Sequence, residues 1–220
     1  MAVVSKNSGP LKAALAELRA AGKPVVALVS DLDPEARSAY AGIDNRAAGQ
    51  LAGFLAGRCL ERIPHAQVAV VVGGFAYRCH EDREIGFRTL LRQRFPRIEL
   101  IEALKGKDTS EATYDAARRL LEKRPGVAGI YNVSGGNPGL AQALLESGPA
   151  RRPLFIGHEL NAVTGPLLRS GAIDFLIAQD LEALVRTSRR LFLDLFAKGP
   201  VREITHLPVQ LVSKFNLDIS

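Results

Sequence analysis

Polar side chains follow five apolar, strand-like segments at the point where each segment ends. Asp, Asn, Glu and Gln side chains accept or donate hydrogen bonds in a fixed plane, which suits the vicinal hydroxyls of a sugar. In α/β proteins with parallel sheets, ligands bind at the carboxyl ends of the strands. We therefore predict a site for a small polar molecule at the strand ends Ser30-Asp31, Asp44-Asn45, Asn132, His158-Glu159 and Gln179-Asp180.

Helix capping is the alternative role for several of these residues. Asp44, Asn45 and Asp180 each precede a predicted helix, and any one of them alone is more often a cap than a ligand contact. Five polar strand ends in one chain favour a binding site. The glycine pairs 73–74 and 135–136 predict tight turns, and neither belongs to the Gly-x-Gly-x-x-Gly pattern of dinucleotide-binding folds.

Arg83 is a candidate of another kind. It lies in the first turn of a helix predicted at 81–95, where the helix dipole mildly disfavours a positive charge. A guanidinium that reaches into a ligand cleft would explain this position. An ion pair with Glu81 or Asp82 explains it equally well on helix arguments alone.

Valine-rich runs typical of buried strands alternate with amphipathic segments typical of helices along the whole chain. Such alternation predicts parallel sheets with right-handed crossovers. Strands are predicted at 1–5, 25–29, 38–43, 68–72, 98–102, 127–132, 153–157, 174–178 and within 203–214, and helices at 11–21, 45–60, 81–95, 109–123, from 137, at 164–170 and at 181–198. Asp108 with Glu111 predicts a capping box for the fourth helix, and Asn137 the cap of the fifth.

The strands could form one large sheet, but a break near Pro64, with a new strand–helix series beyond it, favours two. The predicted fold class is α/β, with two Rossmann-like lobes, each on a parallel sheet, joined by a multi-strand hinge. The predicted N-terminal lobe is 1–63 plus 180–209, and the C-terminal lobe is 64–179 plus 210–220.

Composition bears on the partners and the compartment. The formal charge of +6 is spread over helix faces, without a basic stretch interleaved with aromatics, so nucleic-acid binding by this chain is disfavoured. The apolar runs are too short to cross a membrane. Cys59 and Cys79 are too few for a zinc site or a disulfide framework, and the N-terminus lacks the features of a secretory signal. These features predict a cytoplasmic protein that needs no metal or cofactor.

Catalysis is not predicted. The four histidines show no metal-ligand spacing, and no serine lies in a nucleophile elbow. His158 and Glu159 could act as acid and base, but neighbours at a strand end point in opposite directions. An α/β enzyme acting on a sugar or nucleotide is the alternative to a binding protein.

The order of these segments resembles the ligand-binding domain of LacI/GalR-type transcription regulators, which share the type I fold of periplasmic sugar-binding proteins. The resemblance covers nearly the whole chain. The matching segments are 42–49 (GIDNRAAG), 83–87 (REIGF), 130–137 (IYNVSGGN), 155–159 (FIGHE), 171–180 (GAIDFLIAQD) and 207–212 (LPVQLV) followed by Asn216-Leu217.

The resemblance implies a set of ligand contacts, residue by residue. Glu159 stands where the family usually has aspartate, and the turn from 132 to 137 departs from the commoner Asn-Asp pair. The family also stacks an aromatic ring on a sugar face, a role open to Phe75 and Tyr77. The implied contacts are Asp31 and Asp44 from the first lobe, Arg83, Asn132 and Glu159 from the second, and Gln179 from the hinge.

The function that the resemblance implies is effector binding in a bacterial transcription regulator that acts as a homodimer. A sugar would close the lobes and, in the intact protein, alter DNA binding through a helix-turn-helix that this chain lacks. Residues 1–5 resemble the second strand of the first lobe, which suggests that the first strand and helix are also missing. A periplasmic solute-binding protein of a sugar transporter is the alternative.

Overall fold

The predicted alternation of strands and helices is confirmed. The computed structural model describes residues 1–73, 77–148 and 152–217, and at 102–104 it describes the backbone alone. The strands are β1 Ala2–Val3, β2 Val26–Leu28, β3 Ala39–Ile43, β4 Gln67–Val72, β5 Glu99–Lys105, β6 Val127–Asn132, β7 Leu154–His158, β8 Phe175–Gln179, β9 Ile204–Leu207 and β10 Val209–Val212. The helices are α1 Gly9–Ala20, α2 Asn45–Leu60, α3 Arg78–Arg94, α4 Ser110–Lys123, α5 Asn137–Glu146, α6 Thr164–Arg169 and α7 Leu181–Phe196, with a 3-10 turn at Pro34–Ala36.

Two sheets are present, as predicted, and each belongs to its own compact unit. One unit contains residues 1–44, 77–81 and 179–209, and its sheet has the strand order β1-β2-β3-β9, all parallel. The other contains 45–73, 82–148, 152–178 and 210–217, with the order β10-β8-β7-β6-β4-β5. The pairs of the second sheet from β8 to β5 are parallel. The predicted lobe boundaries stay a prediction.

Burial explains why the strands carry continuous apolar runs. Every residue of β3 is buried, as are all residues of β4 after Gln67. In the first unit, α7 packs on β2 and β3 through Leu184 and Leu191. In the second unit, α4, α5 and α6 bury their apolar residues with those of the sheet, in a core centred on Phe155, Leu140 and Leu144. Because both faces of a parallel sheet are covered, its strands carry apolar residues on both sides and do not alternate between polar and apolar residues.

Two predicted helix caps differ from the structure. The N-cap of α4 is Thr109, whose hydroxyl accepts a hydrogen bond from the amide of Ala112 at 3.3 Å, and not Asp108. Asp108 has a φ of 59°, whereas an N-cap normally has extended backbone. Asn137 is the first residue of α5, and Gly136 precedes it with a φ of 81° that suits glycine.

The approach of α2 to α3 depends on glycine. A Cβ on Gly49 would lie 2.0 Å from the carbonyl oxygen of Arg83, and a Cβ on Gly86 would lie 2.1 Å from that of Arg46. Both contacts are with backbone atoms, which cannot rotate away as a side chain could. The two helices therefore approach as closely as backbone allows, and this approach fixes where α3 carries Arg83.

We predict that Gly49→Ala destabilises the protein. Overpacking a tight contact costs roughly 1–3 kcal/mol, whereas alanine gains only about 1 kcal/mol over glycine inside a helix. Urea unfolding should show a lower free energy of unfolding for Gly49→Ala. The matched control is Gly9→Ala in α1, where a Cβ would meet nothing within 4 Å. Equal stability of the two variants would show that α2 can shift without cost.

Candidate functional site

Arg83 is the most buried charged residue among the predicted contacts, with 3% of its side chain exposed. The helix α3 begins at Arg78, earlier than predicted, so Arg83 lies in its second turn. The predicted tension with the helix dipole is therefore wrong, because the dipole effect is concentrated in the first turn. The neighbouring Asp82 pairs with Arg46 at 3.0 Å.

The guanidinium of Arg83 donates to three acceptors that come from three separate segments. Its Nε donates to Oδ1 of Asn45 at 2.8 Å, at the start of α2. One Nη donates to the carbonyl oxygen of Val133, just after β6, at 3.1 Å. The other donates to Oε1 of Glu159, just after β7, at 3.1 Å. The structure thus brings together Arg83 and Glu159, two of the predicted contacts, and adds Asn45.

The backbone of Glu159 is held in an unusual conformation. Its φ is 64°, a left-handed value that costs of order 1–3 kcal/mol outside glycine. Two hydrogen bonds hold it there, since its amide donates to the carbonyl of Ile177 at 3.0 Å and its carbonyl accepts from the hydroxyl of Thr164 at 2.6 Å. Asn161 in turn accepts from the amide of Thr164 at 3.0 Å. These hydrogen bonds fix the strained turn, and the turn sets the direction of the Glu159 carboxylate.

A buried aromatic stack supports the cluster from beneath. Phe87 lies one turn after Arg83 on α3, and its ring stacks on Tyr131 of β6 with 4.6 Å between the centroids. The hydroxyl of Tyr131 lies 2.7 Å from Nε2 of His158, the last residue of β7. All three side chains are buried, so they anchor α3 on β6 and β7 and are not exposed to a ligand. His158 and Glu159 therefore have different surroundings, as predicted for neighbours at a strand end.

The hydrogen-bonding positions of the Asn132 side chain are all occupied within the fold. Its amide nitrogen donates to the carbonyl of Gly135 at 3.0 Å and to Oδ1 of Asn137 at 2.8 Å. Its oxygen accepts from the amide and the hydroxyl of Ser134, both at 3.2 Å. A carboxamide has two donors and two acceptor positions, so these bonds occupy all four. In this arrangement Asn132 shapes the turn that presents the Val133 carbonyl to Arg83.

Asp31 forms an ion pair in the first unit. One of its carboxylate oxygens accepts from Nη2 of Arg37 at 3.0 Å and the other accepts from Nε of the same residue. The second oxygen also accepts from the amide of Leu32 at 2.8 Å. Arg37 is 5% exposed and Asp31 is 17% exposed. This bidentate pair holds the loop after β2.

The other predicted contacts lie at strand ends or outside the described residues. Asp44 is half-buried between β3 and α2, and Gln179 is a buried residue at the end of β8. The ring of Tyr77, in the first unit, lies 5.3 Å from that of His80 and under the ammonium of Lys6. Phe75 lies outside the described residues.

Two hydrogen-bond partners of Arg83 could not be identified from the sequence. The sequence predicts Asn45 as a helix cap or a polar strand end, whereas its side-chain oxygen Oδ1 accepts a hydrogen bond from Arg83. The carbonyl of Val133 is backbone and has no signal in the sequence at all. Only the three-dimensional proximity of α2, β6 and β7 identifies either one.

Comparison with protein families gives one match. The model of the periplasmic binding protein domain family matches residues 1–199. No curated protein sequence matches the chain significantly.

Solved structures of sugar-binding proteins share the fold. A glucose-galactose binding protein from Geobacillus stearothermophilus is 21% identical, with a TM-score of 0.88 over 99% of this chain and 78% of that one. The periplasmic component of a sugar ABC transport system from Hahella chejuensis is 26% identical, with a TM-score of 0.85 over 96% and 78%. An ABC transporter solute-binding protein from Agrobacterium vitis with bound D-fucose is 20% identical, with a TM-score of 0.84 over 94% and 72%.

These comparisons correct two expectations. The identification as a transcription regulator of the LacI type is wrong, because the matching family is that of periplasmic binding proteins and the similar structures include the periplasmic component of a sugar ABC transport system. The cytoplasmic assignment is wrong for the same reason. DNA binding and a homodimer have no support from these matches. The two classes share one fold, so the order of strand-end residues could not separate them.

Two further properties concern the described residues alone. Among the helices they form, none is both long enough and apolar enough to cross a membrane. Within the same residues, no group of His, Cys, Asp and Glu side chains is placed to hold a metal ion.

We predict that Arg83→Met, which keeps an unbranched apolar stem but removes the guanidinium, destabilises the protein by roughly 2–4 kcal/mol, because each buried partner left unsatisfied costs about 1–3 kcal/mol. Asn45 and Val133 are both buried. The matched control is Arg88→Met on the same helix, because the side chain of Arg88 is 25% exposed and makes an i,i+4 pair with Glu84. Such helix pairs are worth about 0.3–0.5 kcal/mol where they are exposed, so the loss should be smaller. Urea unfolding measures both. A smaller loss for Arg83→Met than for Arg88→Met would contradict a structural role for the cluster.

Proposed function

The chain belongs to the periplasmic binding protein domain family, and on that premise we propose that it binds a sugar reversibly and does not transform it. The proposed setting is the solute-binding component of a sugar ABC transporter, outside the cytoplasm. In the sequence analysis, this was the alternative to the transcription regulator that the family resemblance implied.

The similar structures support a sugar as the ligand. Those that share the fold include an arabinose-binding protein and solute-binding proteins in complex with D-arabinose and with D-fucose. The Hahella chejuensis protein, at 26% identity, is named as the periplasmic component of a sugar transport system. Sugar of monosaccharide size is the ligand class that these names have in common.

The observation that carries the proposal is the cluster of Arg83, Asn45 and Glu159. A guanidinium, a carboxamide and a carboxylate are held at the carboxyl ends of β6 and β7, where α/β proteins bind ligands. Each is fixed by bonds within the protein, so little side-chain freedom is lost when a ligand arrives. Planar polar groups fixed in this way suit the vicinal hydroxyls of a sugar.

The remaining predicted contacts are retained as parts of the proposal with different roles. We propose that Asn132 acts indirectly, by shaping the turn that carries Val133, since its own hydrogen-bonding positions are occupied. The ligand contacts proposed for Asp31, Asp44, Phe75, Tyr77 and Gln179 stay predictions.

Binding without turnover is proposed from the state of the possible acid–base groups. His158 is 2% exposed and bonded to the hydroxyl of Tyr131, which is 1% exposed. Proton transfer to or from a ligand requires a group within hydrogen-bond reach of the reacting atom. The Glu159 carboxylate is engaged by the guanidinium of Arg83 at 3.1 Å.

Isothermal titration calorimetry with D-glucose, D-galactose, D-arabinose and D-fucose tests the proposal. We expect saturable binding of at least one sugar, and we expect Arg83→Lys to weaken it by about 10-fold or more, because lysine cannot reproduce a planar fork of donors. Arg88→Lys, on the same helix, is the control and should leave the affinity unchanged.

Three outcomes would contradict this function. If none of the four sugars binds, the proposal that the ligand is a sugar is wrong. If a folded Arg83→Lys variant binds as tightly as the wild type, the cluster is not part of the binding site. A new product, detected by chromatography after prolonged incubation with the bound sugar, would show catalysis.

A further inference from the structure

We propose that the carboxylate of Glu159 restricts this site to uncharged sugars and excludes sugars that carry a carboxylate of their own. This inference rests on the proposed function and adds the charge of the ligand to it. It concerns selectivity, since an arginine in a sugar site can serve either a hydroxyl or a carboxylate.

The positive charge of Arg83 is not available to attract an anion. Three of its donor groups are directed at Asn45, Val133 and Glu159, and the side chain is only 3% exposed. A guanidinium has five N–H donors, so at most two remain for a ligand. Its charge is already compensated by the carboxylate at 3.1 Å.

The accessible member of the pair is the acid. The side chain of Glu159 is 34% exposed, about ten times the exposed fraction of Arg83. The turn described above, with a φ of 64° and the bond from Thr164, fixes where this carboxylate lies. A ligand that reaches the pair therefore meets a negatively charged hydrogen-bond acceptor before it meets the guanidinium.

Two other arginines, on α2 and α3, are also paired with acids. Arg46 pairs with Asp82 at 3.0 Å, and Arg88 pairs with Glu84 at 2.8 Å. Like the pair of Arg83 with Glu159, each of these pairs carries no net charge.

The consequences differ for the two kinds of sugar. A sugar hydroxyl can donate a hydrogen bond to the carboxylate, and such charge-assisted bonds are stronger than neutral ones. A sugar carboxylate is ionised near neutral pH and has no proton to donate. Placing it beside Glu159 sets two like charges in contact, which weakens binding. Rejection by like charge is a common way in which binding sites gain specificity.

The test compares each neutral sugar with its acid. Calorimetry on the wild-type protein with D-galactose against D-galacturonate, and with D-glucose against D-glucuronate, gives the ratio of the two dissociation constants. We expect the neutral sugar to bind at least about 10-fold more tightly, as one like-charge contact predicts.

Two substitutions assign this ratio to Glu159. In Glu159→Gln the amide oxygen can still accept from Arg83, but the charge of Arg83 is no longer compensated, so the ratio should fall by about 10-fold or more. Glu159→Asp keeps the charge and should still reject the acids, even if every affinity is lower. Glu84→Gln, which changes the acid of another arginine pair in the same unit, is the matched control and should leave the ratio unchanged.

The outcomes separate this inference from the proposed function. Binding of neither neutral sugars nor acids would defeat the proposed function. Equal or tighter binding of the acids by the wild type would overturn the inference and leave sugar binding intact. An unchanged ratio in a folded Glu159→Gln would also overturn it. If Glu159→Gln does not fold, the wild-type ratio together with that of Glu159→Asp decides the question.

Discussion

The second unit depends on the need to compensate one buried positive charge. Taking a guanidinium out of water costs several kcal/mol even after the protein relaxes, and only well-placed partners repay it. Arg83 obtains those partners from the start of α2, the end of β6 and the end of β7. These segments are far apart in sequence, so their relative positions in the unit are tied to a single side chain. Displacing any one of them leaves a buried donor or acceptor unpaired.

Packing brings the charge within reach of its partners. Gly49 and Gly86 allow α2 and α3 to approach until backbone meets backbone, which places the first residue of α2 beside Arg83. One turn further along α3, Phe87 stacks on Tyr131 and holds the helix on β6. The left-handed backbone of Glu159 then turns the carboxylate toward the guanidinium. Strain of this kind persists only where the surroundings over-determine it, and here the strand β8 and Thr164 both contribute.

The fold could be predicted almost completely from the sequence, and the site only in part. The period of the apolar residues predicts each strand and helix because burial is a local property of an amphipathic or fully apolar segment. Helix α2 and strand β6 have the predicted bounds, whereas the cap of α4 and the start of α3 do not, since caps depend on single backbone angles. The partner of Arg83 could not be decided from the sequence. Nothing local distinguishes Asp82, the adjacent acid, from Glu159, which lies 76 residues from Arg83 and is its actual partner.

Residue type alone could not rank the polar strand ends, but hydrogen-bond saturation can. Asn132, Asp31 and Glu159 are alike in sequence, as each follows a buried strand with an oxygen-bearing side chain. The structure distinguishes them. The donors and acceptors of the Asn132 side chain are all occupied within its own turn, and both carboxylate oxygens of Asp31 accept hydrogen bonds from Arg37. Glu159 combines a fixed position with substantial exposure. A group must be both held and accessible to recognise a ligand, and this combination is a property of the folded cluster that no single position in the sequence encodes.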